Sequence, residues 1–274
     1  MALNATLNLK KKMQAGKIVF GQTIGPGNDP EKTVQALKSY GYDFIMMENE
    51  HSLVNKETVY EYIGASRKME LPILLRPEEK DANYRCFMDA GVNGLMMPGV
   101  NTVEDALFAV NQCYFTPIGH RGTGVGLSPY LLDGQNAGEM LLSDICEYVN
   151  DNVVLFPQTE SLQCISNLHR ILSLEGITGT IVGTNDLVLD IYGTPPKMLR
   201  SESATAKPVE DRLREIALIC KQTKKVAGIG GFAPKALAKW AKEGYTLFML
   251  GNVMDNNYEK LKPGIEEMKS LLGL

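Results

Sequence analysis

Titratable side chains follow several short apolar stretches of this chain, at the point where each stretch ends. The apolar residues 44–47 are followed at once by Glu48, and then by Glu50 and His51. Histidine changes charge nearest to neutral pH, so His51 is the natural group to move a proton during a reaction. Taken alone, this stretch fits a polar strand-to-helix loop with a solvated histidine better than it fits a reactive site.

Other apolar stretches end in groups of complementary chemistry. Arg76 closes one of them and is a fixed cation, suited to an oxyanion that develops during a reaction. Glu160 and Asp186 follow two later stretches, and two carboxylates are enough protein ligands for a hard divalent ion. The turn from Gly183 to Asp186 opens a predicted helix, whose free N–H groups suit a substrate carboxylate. Singly, the two acids are equally explained as helix N-terminal residues.

The elements that would position these groups alternate regularly along the chain. Short apolar stretches without polar alternation are typical of strands buried on both faces, and amphipathic segments with helix start and stop signals separate them. About eight such units in 274 residues predict one (β/α)8 TIM barrel domain spanning residues 1–274. A doubly wound sheet is the competitor, but no GxGxxG follows the first strand. The predicted strands are 18–24, 42–48, 72–76, 94–98, 153–158, 179–183, 226–230 and 246–251.

Three segments interrupt or end the regular alternation. Residues 117–135 are rich in glycine and proline, and a loop of this length in a compact domain predicts a lid or binding loop. Residues 200–207 form a second polar insertion, expected on the surface. Residues 257–274 predict an amphipathic helix that packs on its own barrel or is exchanged with a neighbouring subunit.

Composition excludes several classes of function. A net charge of -4 provides no basic field for nucleic acid or an anionic membrane, so neither is an expected partner. The five cysteines are odd in number and never form a CxxC pair, which indicates free thiols in a reducing compartment. No signal-peptide core follows Lys10, Lys11 and Lys12, and no stretch has the length of a membrane span. We therefore expect a soluble, cytoplasmic protein.

Six short motifs, in order along almost the whole chain, carry a family resemblance. They are Glu-Asn-Glu-His (48–51), Leu-Arg-Pro (75–77), Leu-Met-Met-Pro (95–98), Gly-His-Arg-Gly (119–122), Gln-Thr-Glu (158–160) and Gly-Thr-Asn-Asp-Leu (183–187). Together they resemble the class II pyruvate-dependent hydroxyketoacid aldolases. That family includes the 4-hydroxy-2-oxoheptanedioate and 2-keto-3-deoxy sugar acid aldolases.

The resemblance implies a role for each matching residue. It makes His51 the catalytic base and Arg76 the group that stabilises an enolate, and it makes Asp89 an acid that orients the histidine. It also implies metal ligands, contacts to the pyruvate unit, and a homo-oligomer, a hexamer with an exchanged C-terminal helix. The implied ligands of a Mg²⁺, Mn²⁺ or Co²⁺ ion are Glu160 and Asp186, and the implied pyruvate contacts are Gln158 and Asn185, beside Gly183.

The chain departs from the family pattern beside the histidine. Glu48 stands where the family usually has Asp, and Asn49 where it usually has Gly. We include Glu48 among the candidate catalytic residues, although its side chain is one methylene longer. These departures leave the pyruvate half of the site intact and bear on the choice of aldehyde.

Three functions follow as hypotheses. The first is a metal-dependent aldolase that acts on 4-hydroxy-2-oxo acids through a pyruvate enolate, with a 2-oxo acid and an aldehyde as its small-molecule partners. The second is a sugar-phosphate isomerase that binds phosphate at the glycine-rich residues 228–231 and at 251–252. The third is a non-catalytic barrel that binds a small oxo acid.

Overall fold

Eight parallel strands close into a barrel in the computed structural model, which describes residues 5–253 and 257–274. Each strand pairs with the next in sequence, and the last pairs with the first. The predicted (β/α)8 barrel is confirmed, and every predicted strand is present. The strands are β1 Val19–Ile24, β2 Phe44–Glu48, β3 Ile73–Arg76, β4 Gly94–Met97, β5 Val154–Thr159, β6 Gly179–Val182, β7 Val226–Gly230 and β8 Leu247–Val253.

Helices connect the strands and cover the outside of the barrel. They are α1 Ala5–Gln14, α2 Pro30–Tyr40, α3 Lys56–Met69, α4 Asn83–Ala90, α5 Val103–Cys113, α6 Leu142–Asp151, α7 Leu162–Leu172, α8 Thr184–Tyr192, α9 Arg200–Ser203, α10 Lys207–Thr223, α11 Pro234–Ala241 and α12 Leu261–Leu272. Short 3-10 turns occupy Ala137–Glu139 and Tyr258–Lys260. Among the described residues, no helix is both long and apolar enough to cross a bilayer.

The helix boundaries follow the local signals in the sequence. The side chain of Asp29 accepts a hydrogen bond from the backbone N–H of Lys32 and caps α2, which ends at Gly41 with φ of 85°. Thr102 and Asp105 form the predicted capping box at the start of α5. These contacts satisfy N–H groups that a helix end otherwise leaves without partners.

Two layers of apolar side chains hold the barrel together. The strands are buried on both faces, so alternate residues point into the barrel or outward against the helices. The inner layer includes Phe44, Met46 and Phe156. The barrel is therefore filled by side chains, and reacting molecules have access only to its ends.

The N-terminal end of the barrel is closed by α1. Leu9 and Met13 of this helix are buried against the inner layer, and Lys12 forms an ion pair of 2.6 Å with Asp43. We did not predict this helix from the sequence. It leaves the C-terminal ends of the strands as the open end of the barrel.

The terminal helix α12 packs on the barrel of its own chain. Leu261, Ile265 and Met268 are buried in the outer apolar layer. The Tyr42 hydroxyl donates a hydrogen bond of 3.1 Å to the backbone carbonyl of Leu261. Of the two arrangements expected from the sequence, the single chain adopts the first, and exchange between subunits stays a prediction.

The segment predicted as a lid, 117–135, packs beside α3 and α4. The Arg67 guanidinium donates to the backbone carbonyls of Tyr130 and Gly91, at 3.1 and 2.8 Å. Leu131 and Leu132 form a small apolar cluster with α6, a helix that the sequence did not predict. A lid function for this segment stays a prediction.

Candidate active site

A cleft of about 1010 Å³ opens at the C-terminal ends of the strands. It brings together residues that lie far apart in sequence, because all eight strands point the same way. The lining includes nearly all of the residues selected from the strand ends, namely Glu48, His51, Arg76, Gln158, Gly183, Asn185 and Asp186. Glu160 lies directly behind this surface, in contact with Gln158.

Glu48 ends β2 and organises the loop that follows it. Its Oε1 atom accepts hydrogen bonds from the backbone N–H groups of Glu50 and His51, at 2.9 and 3.0 Å. Its Oε2 atom accepts a hydrogen bond from Arg76. The residue is 8 % exposed and both carboxylate oxygens accept hydrogen bonds, and a catalytic role for Glu48 stays a prediction.

Arg76 lies at the centre of the site. One Nη donates to Glu48, the other donates to Gln158 Oε1 at 3.3 Å, and Nε lies 3.2 Å from Glu50 Oε2. A guanidinium has five N–H donors, so two remain for an oxyanion in the cleft. Its orientation is therefore set before any substrate binds.

His51 lies on the wall of the cleft, with its side chain 63 % exposed. Its Nε2 atom is 3.6 Å from Glu50 Oε2. Burial raises the pKa of Glu50, while the positive charges of Arg76 and His51 oppose that rise. The sequence placed Glu50 in the same cluster but assigned it no role, because spacing alone does not show which carboxylate faces the imidazole.

Asp89 lies away from this cluster. It is on α4, where its Oδ1 atom accepts hydrogen bonds from the Arg121 guanidinium, at 3.1 Å to Nε and 2.5 Å to Nη2. Within the described residues it makes no contact with His51. The role that the resemblance assigns to Asp89 stays a prediction, and among the described acids it is Glu50 that forms an ion pair with the imidazole.

A second carboxylate, Glu160, directly follows β5. Glu160 Oε2 accepts a hydrogen bond from the Gln158 amide, and Glu160 Oε1 accepts one of 2.9 Å from the backbone N–H of Gly99. Burial raises the pKa of Glu160; these two hydrogen bonds oppose the rise, and the charge of Asp186 adds to it. Glu48, Arg76, Gln158 and Glu160 thus form a continuous hydrogen-bonded series across β2, β3 and β5.

Gly183 allows this series to fit beneath the next helix. A Cβ atom at this position would lie 2.8 Å from Gln158 Nε2 and 2.9 Å from Glu160 Cβ. Real Cβ atoms do not come so close to their neighbours, so a glycine is required here by packing.

The helix that starts after Gly183 presents polar groups to the cleft. Its N-terminus has no side-chain cap, and the buried Thr184 hydroxyl has no hydrogen-bond partner among the described residues. Asp186, in the first turn, is exposed at the cleft surface. Free N–H groups, a free hydroxyl and a positive helix end together suit a carboxylate ligand.

The donor set of Glu160 and Asp186 fits a hard divalent ion. Both are carboxylates, and their negative charges act on each other across the site. A magnesium-type ion needs one or two carboxylates and takes its other oxygen ligands from water or substrate. Among the described residues, no group of three or more His, Cys, Asp or Glu side chains is arranged to bind a metal.

The polar insertion at residues 200–207 lies on the surface, as predicted, beside the cleft. Residues Leu199, Arg200 and Ser201 line the mouth of the cleft, and α9 begins there. Most of residues 200–207 are exposed, as expected, and the sequence did not indicate that they would also border the cleft. The chain folds back over the C-terminal end of the barrel between α8 and α10, which no local sequence signal indicates.

The chain is similar in sequence to one known protein family. The sequence profile described as HpcH/HpaI aldolase/citrate lyase matches residues 26–251, most of the chain. The chain belongs to the HpcH/HpaI family. The family resemblance drawn from the six motifs is confirmed.

Relatives and solved structures agree with this HpcH/HpaI assignment. A 4-hydroxy-2-oxo-heptane-1,7-dioate aldolase from Klebsiella pneumoniae is 26 % identical over 222 residues, covering 80 % of this chain and 78 % of the relative. A 2-keto-3-deoxy-L-rhamnonate aldolase from Escherichia coli is 24 % identical and covers 96 % of each chain. The crystal structure of an HpcH/HpaI aldolase from Desulfitobacterium hafniense shares the fold, with a TM-score of 0.80, 21 % identity and coverage of 95 % and 96 %. The family and its aldolase relatives indicate a carbon–carbon lyase.

Proposed function

We propose that this HpcH/HpaI protein is a divalent-metal-dependent aldolase that cleaves or forms 4-hydroxy-2-oxo acids through a pyruvate enolate. The observation that carries the proposal is the series Glu48, Arg76, Gln158 and Glu160 at one end of the barrel. It joins the Arg76 guanidinium to the carboxylates of Glu48 and Glu160, and it lies beside His51. A proton carrier, an oxyanion partner and a metal-type donor set are the parts that such a reaction needs.

The chain's own groups account for cleavage of the carbon–carbon bond. His51 removes the proton from the C4 hydroxyl, and the C3–C4 bond breaks as the C4 oxygen becomes the carbonyl of the departing aldehyde. The electron pair moves to the pyruvate unit, which becomes an enolate. Two N–H donors of Arg76 hold the enolate oxygen, and the protonated His51 returns its proton to C3 to form pyruvate. Atoms and charges balance without a further reactant.

Two carboxylates of the site would hold the metal. Glu160 and Asp186 would bind Mg²⁺, Mn²⁺ or Co²⁺, and a bound divalent ion supplies positive charge to the keto and carboxylate oxygens of a 2-oxo acid. The free hydroxyl of Thr184 and the N–H groups at the start of α8 would bind the carboxylate of the 2-oxo acid. Gln158, with its amide held between Arg76 and Glu160, borders this position.

An imine mechanism would require a lysine amine in this cleft. Among the described residues that line the cleft there is no lysine. The other two hypotheses, an isomerase and a non-catalytic barrel, receive no support from a family of carbon–carbon lyases. The two relatives' names both describe 2-oxo acids, so the pyruvate half is the shared part of the proposed substrate.

The proposal is tested by exchange of the pyruvate methyl protons in deuterated buffer, which requires no knowledge of the aldehyde. We expect exchange with added Mg²⁺, Mn²⁺ or Co²⁺, its loss in a chelator, and its recovery when the ion is restored. His51→Ala should lose about 10²–10⁴-fold of the exchange rate, the usual cost of removing a general base.

The matched control is His169→Ala, because His169 is an exposed histidine on α7, far from the strand ends. It should exchange protons at the wild-type rate. Full exchange in chelator, or trapping of pyruvate on a lysine by borohydride, would show that the metal-dependent assignment is wrong.

A further inference from the structure

Arg200 is a cation of the cleft for which the described part of the chain provides no acidic partner. Arg200 begins α9 at the cleft mouth, and its Nε donates a hydrogen bond of 2.9 Å to Asn185 Oδ1. No described carboxylate forms an ion pair with it. Arg76, by contrast, already contacts Glu48 and Glu50. A cation held in place but unpaired at a binding surface is available to an anionic ligand.

The nearby acid is engaged elsewhere. Glu202, two residues further along α9, accepts a hydrogen bond of 3.0 Å from the backbone N–H of Leu199 and so caps its own helix. The hydrogen bond to Asn185 uses one of the five N–H donors of Arg200. Four remain, including the two Nη groups that match a carboxylate in a bidentate pair.

The surroundings of Arg200 are largely apolar. The lining of the cleft also includes the apolar residues Leu199, Ala204, Phe232, Ala233 and Ala236. Asn185 precedes Asp186, so the hydrogen bond to Arg200 connects the mouth of the cleft directly to the proposed metal-binding carboxylates. A short aliphatic chain that extends from the reacting carbon would lie along the apolar wall and end at the guanidinium.

We infer that Arg200 is a specificity-determining residue that binds an anionic group at the far end of the aldehyde. This inference rests on the proposed aldolase function and defines its second substrate as a short aliphatic aldehyde that carries a terminal oxyanion. A carboxylate fits best, because its single negative charge matches the single positive charge of Arg200. A phosphate shares the oxyanion chemistry and is tested separately.

The test compares matched aldehydes in aldol addition to pyruvate. The wild-type enzyme should have a higher kcat/KM for 4-oxobutanoate than for pentanal, a neutral aldehyde of similar length. In Arg200→Gln the ratio of these two values should fall about 10- to 100-fold, the range expected for loss of a charged hydrogen bond. Arg200→Lys should give an intermediate ratio, because it keeps the charge but not the planar fork.

Lys197→Ala is the matched control, since Lys197 is an exposed cation in the same connection but does not line the cleft. It should keep the wild-type ratio. An unchanged ratio in Arg200→Gln would overturn the inference. A loss confined to glyceraldehyde 3-phosphate relative to glyceraldehyde would overturn the choice of a carboxylate and assign Arg200 to a phosphate. Absence of pyruvate proton exchange in the wild-type enzyme would instead refute the proposed function itself.

Discussion

Arg76 illustrates how a single side chain is prepared for its role. Its guanidinium contacts three side chains, one from β2, one from β5 and one from the loop after β2. A lysine would keep the charge at this position but could not form these contacts in one plane while presenting further donors to a substrate. Arg76 is therefore ordered when the protein folds, and its side chain loses little further conformational entropy when a substrate binds.

The partner of His51 can be identified from the pH dependence of kcat/KM. A neighbouring carboxylate favours the protonated imidazole, so replacing it with an amide should move the acid limb of the profile to lower pH. The structure places Glu50 beside His51 and Asp89 beside Arg121. We therefore expect Glu50→Gln to shift the acid limb and Asp89→Asn to leave it in place. The opposite result would support the role that the family resemblance gives to Asp89.

Glu160 should make the metal-free protein less stable at neutral and alkaline pH. Burial raises its folded-state pKa above the unfolded value, so the charged form opposes folding when the pH is above both values. This penalty fades as the pH falls through the raised pKa. In chelator, Glu160→Gln should melt a few degrees above the wild type at pH 8, and the difference should shrink toward pH 4.

Thermal unfolding monitored by circular dichroism measures this effect. Glu267→Gln, which makes the same change at an exposed position of α12, should melt with the wild type at both pH values. A Glu160→Gln protein that melts at or below the wild-type temperature at pH 8 would contradict the prediction. The variant should also lose the stabilisation that added divalent ion gives the wild type.

Most of the proposed site could be predicted from residue types at strand ends. His51, Arg76, Gln158 and Asp186 were found in this way, because parallel strands bring their C-terminal ends to one face whatever the details of packing. The position of Glu50 against His51 and of Asp89 against Arg121 could not be predicted. These contacts depend on side-chain rotamers and on the path of the loops, which leave no periodic signal in the sequence.

At the scale of the elements, Gly183 at the start of α8 leaves the space in which the side chains of Gln158 and Glu160 pack. A methyl group at position 183 would meet Gln158 and Glu160 at less than 3 Å. Gly183→Ala should therefore displace both side chains and cost about 1–3 kcal/mol of stability, as overpacking usually does. The rate of proton exchange should also fall, even under conditions where the variant is fully folded, because Gln158 and Glu160 belong to the proposed site.

Gly264→Ala provides the contrasting substitution. This glycine lies within α12 and has open space where its Cβ would be, so alanine should be neutral or stabilising. Chemical denaturation and the exchange assay, applied to both variants, distinguish the two effects. Wild-type exchange in Gly183→Ala would show that the packing around Glu160 tolerates the methyl group.

The strands and most helices were predictable, whereas three helices were not. The apolar stretches identified all eight strands because buried parallel strands leave continuous apolar runs. α1, α6 and α9 were missed for different reasons. α1 is short and carries several lysines, α6 follows a glycine-rich loop, and α9 spans only Arg200–Ser203. Their positions are set by the surfaces they cover more than by their own sequences.

For the whole molecule, we expect a homo-oligomer, with a hexamer as the assembly that the family resemblance implies. Large apolar side chains remain on the surface of the single chain, including Leu53, Leu127 and Leu141, which are 96 %, 87 % and 68 % exposed. Light scattering should give six times the chain mass of 30.2 kDa. A stable species of 30.2 kDa at micromolar concentration would contradict this prediction.

Helix α1, which closes the N-terminal end of the barrel, affects the order in which the products of the proposed reaction leave. Because α1 and the inner apolar layer block that end, both products of cleavage must leave through the same opening. Gln158 and Arg76 lie deep, with Gln158 fully buried, whereas Arg200 lies at the mouth. In the proposed reaction, pyruvate would therefore lie beneath the aldehyde and would depart only after it. In steady-state cleavage, pyruvate should inhibit competitively against the hydroxy-oxo acid, and the aldehyde should inhibit non-competitively.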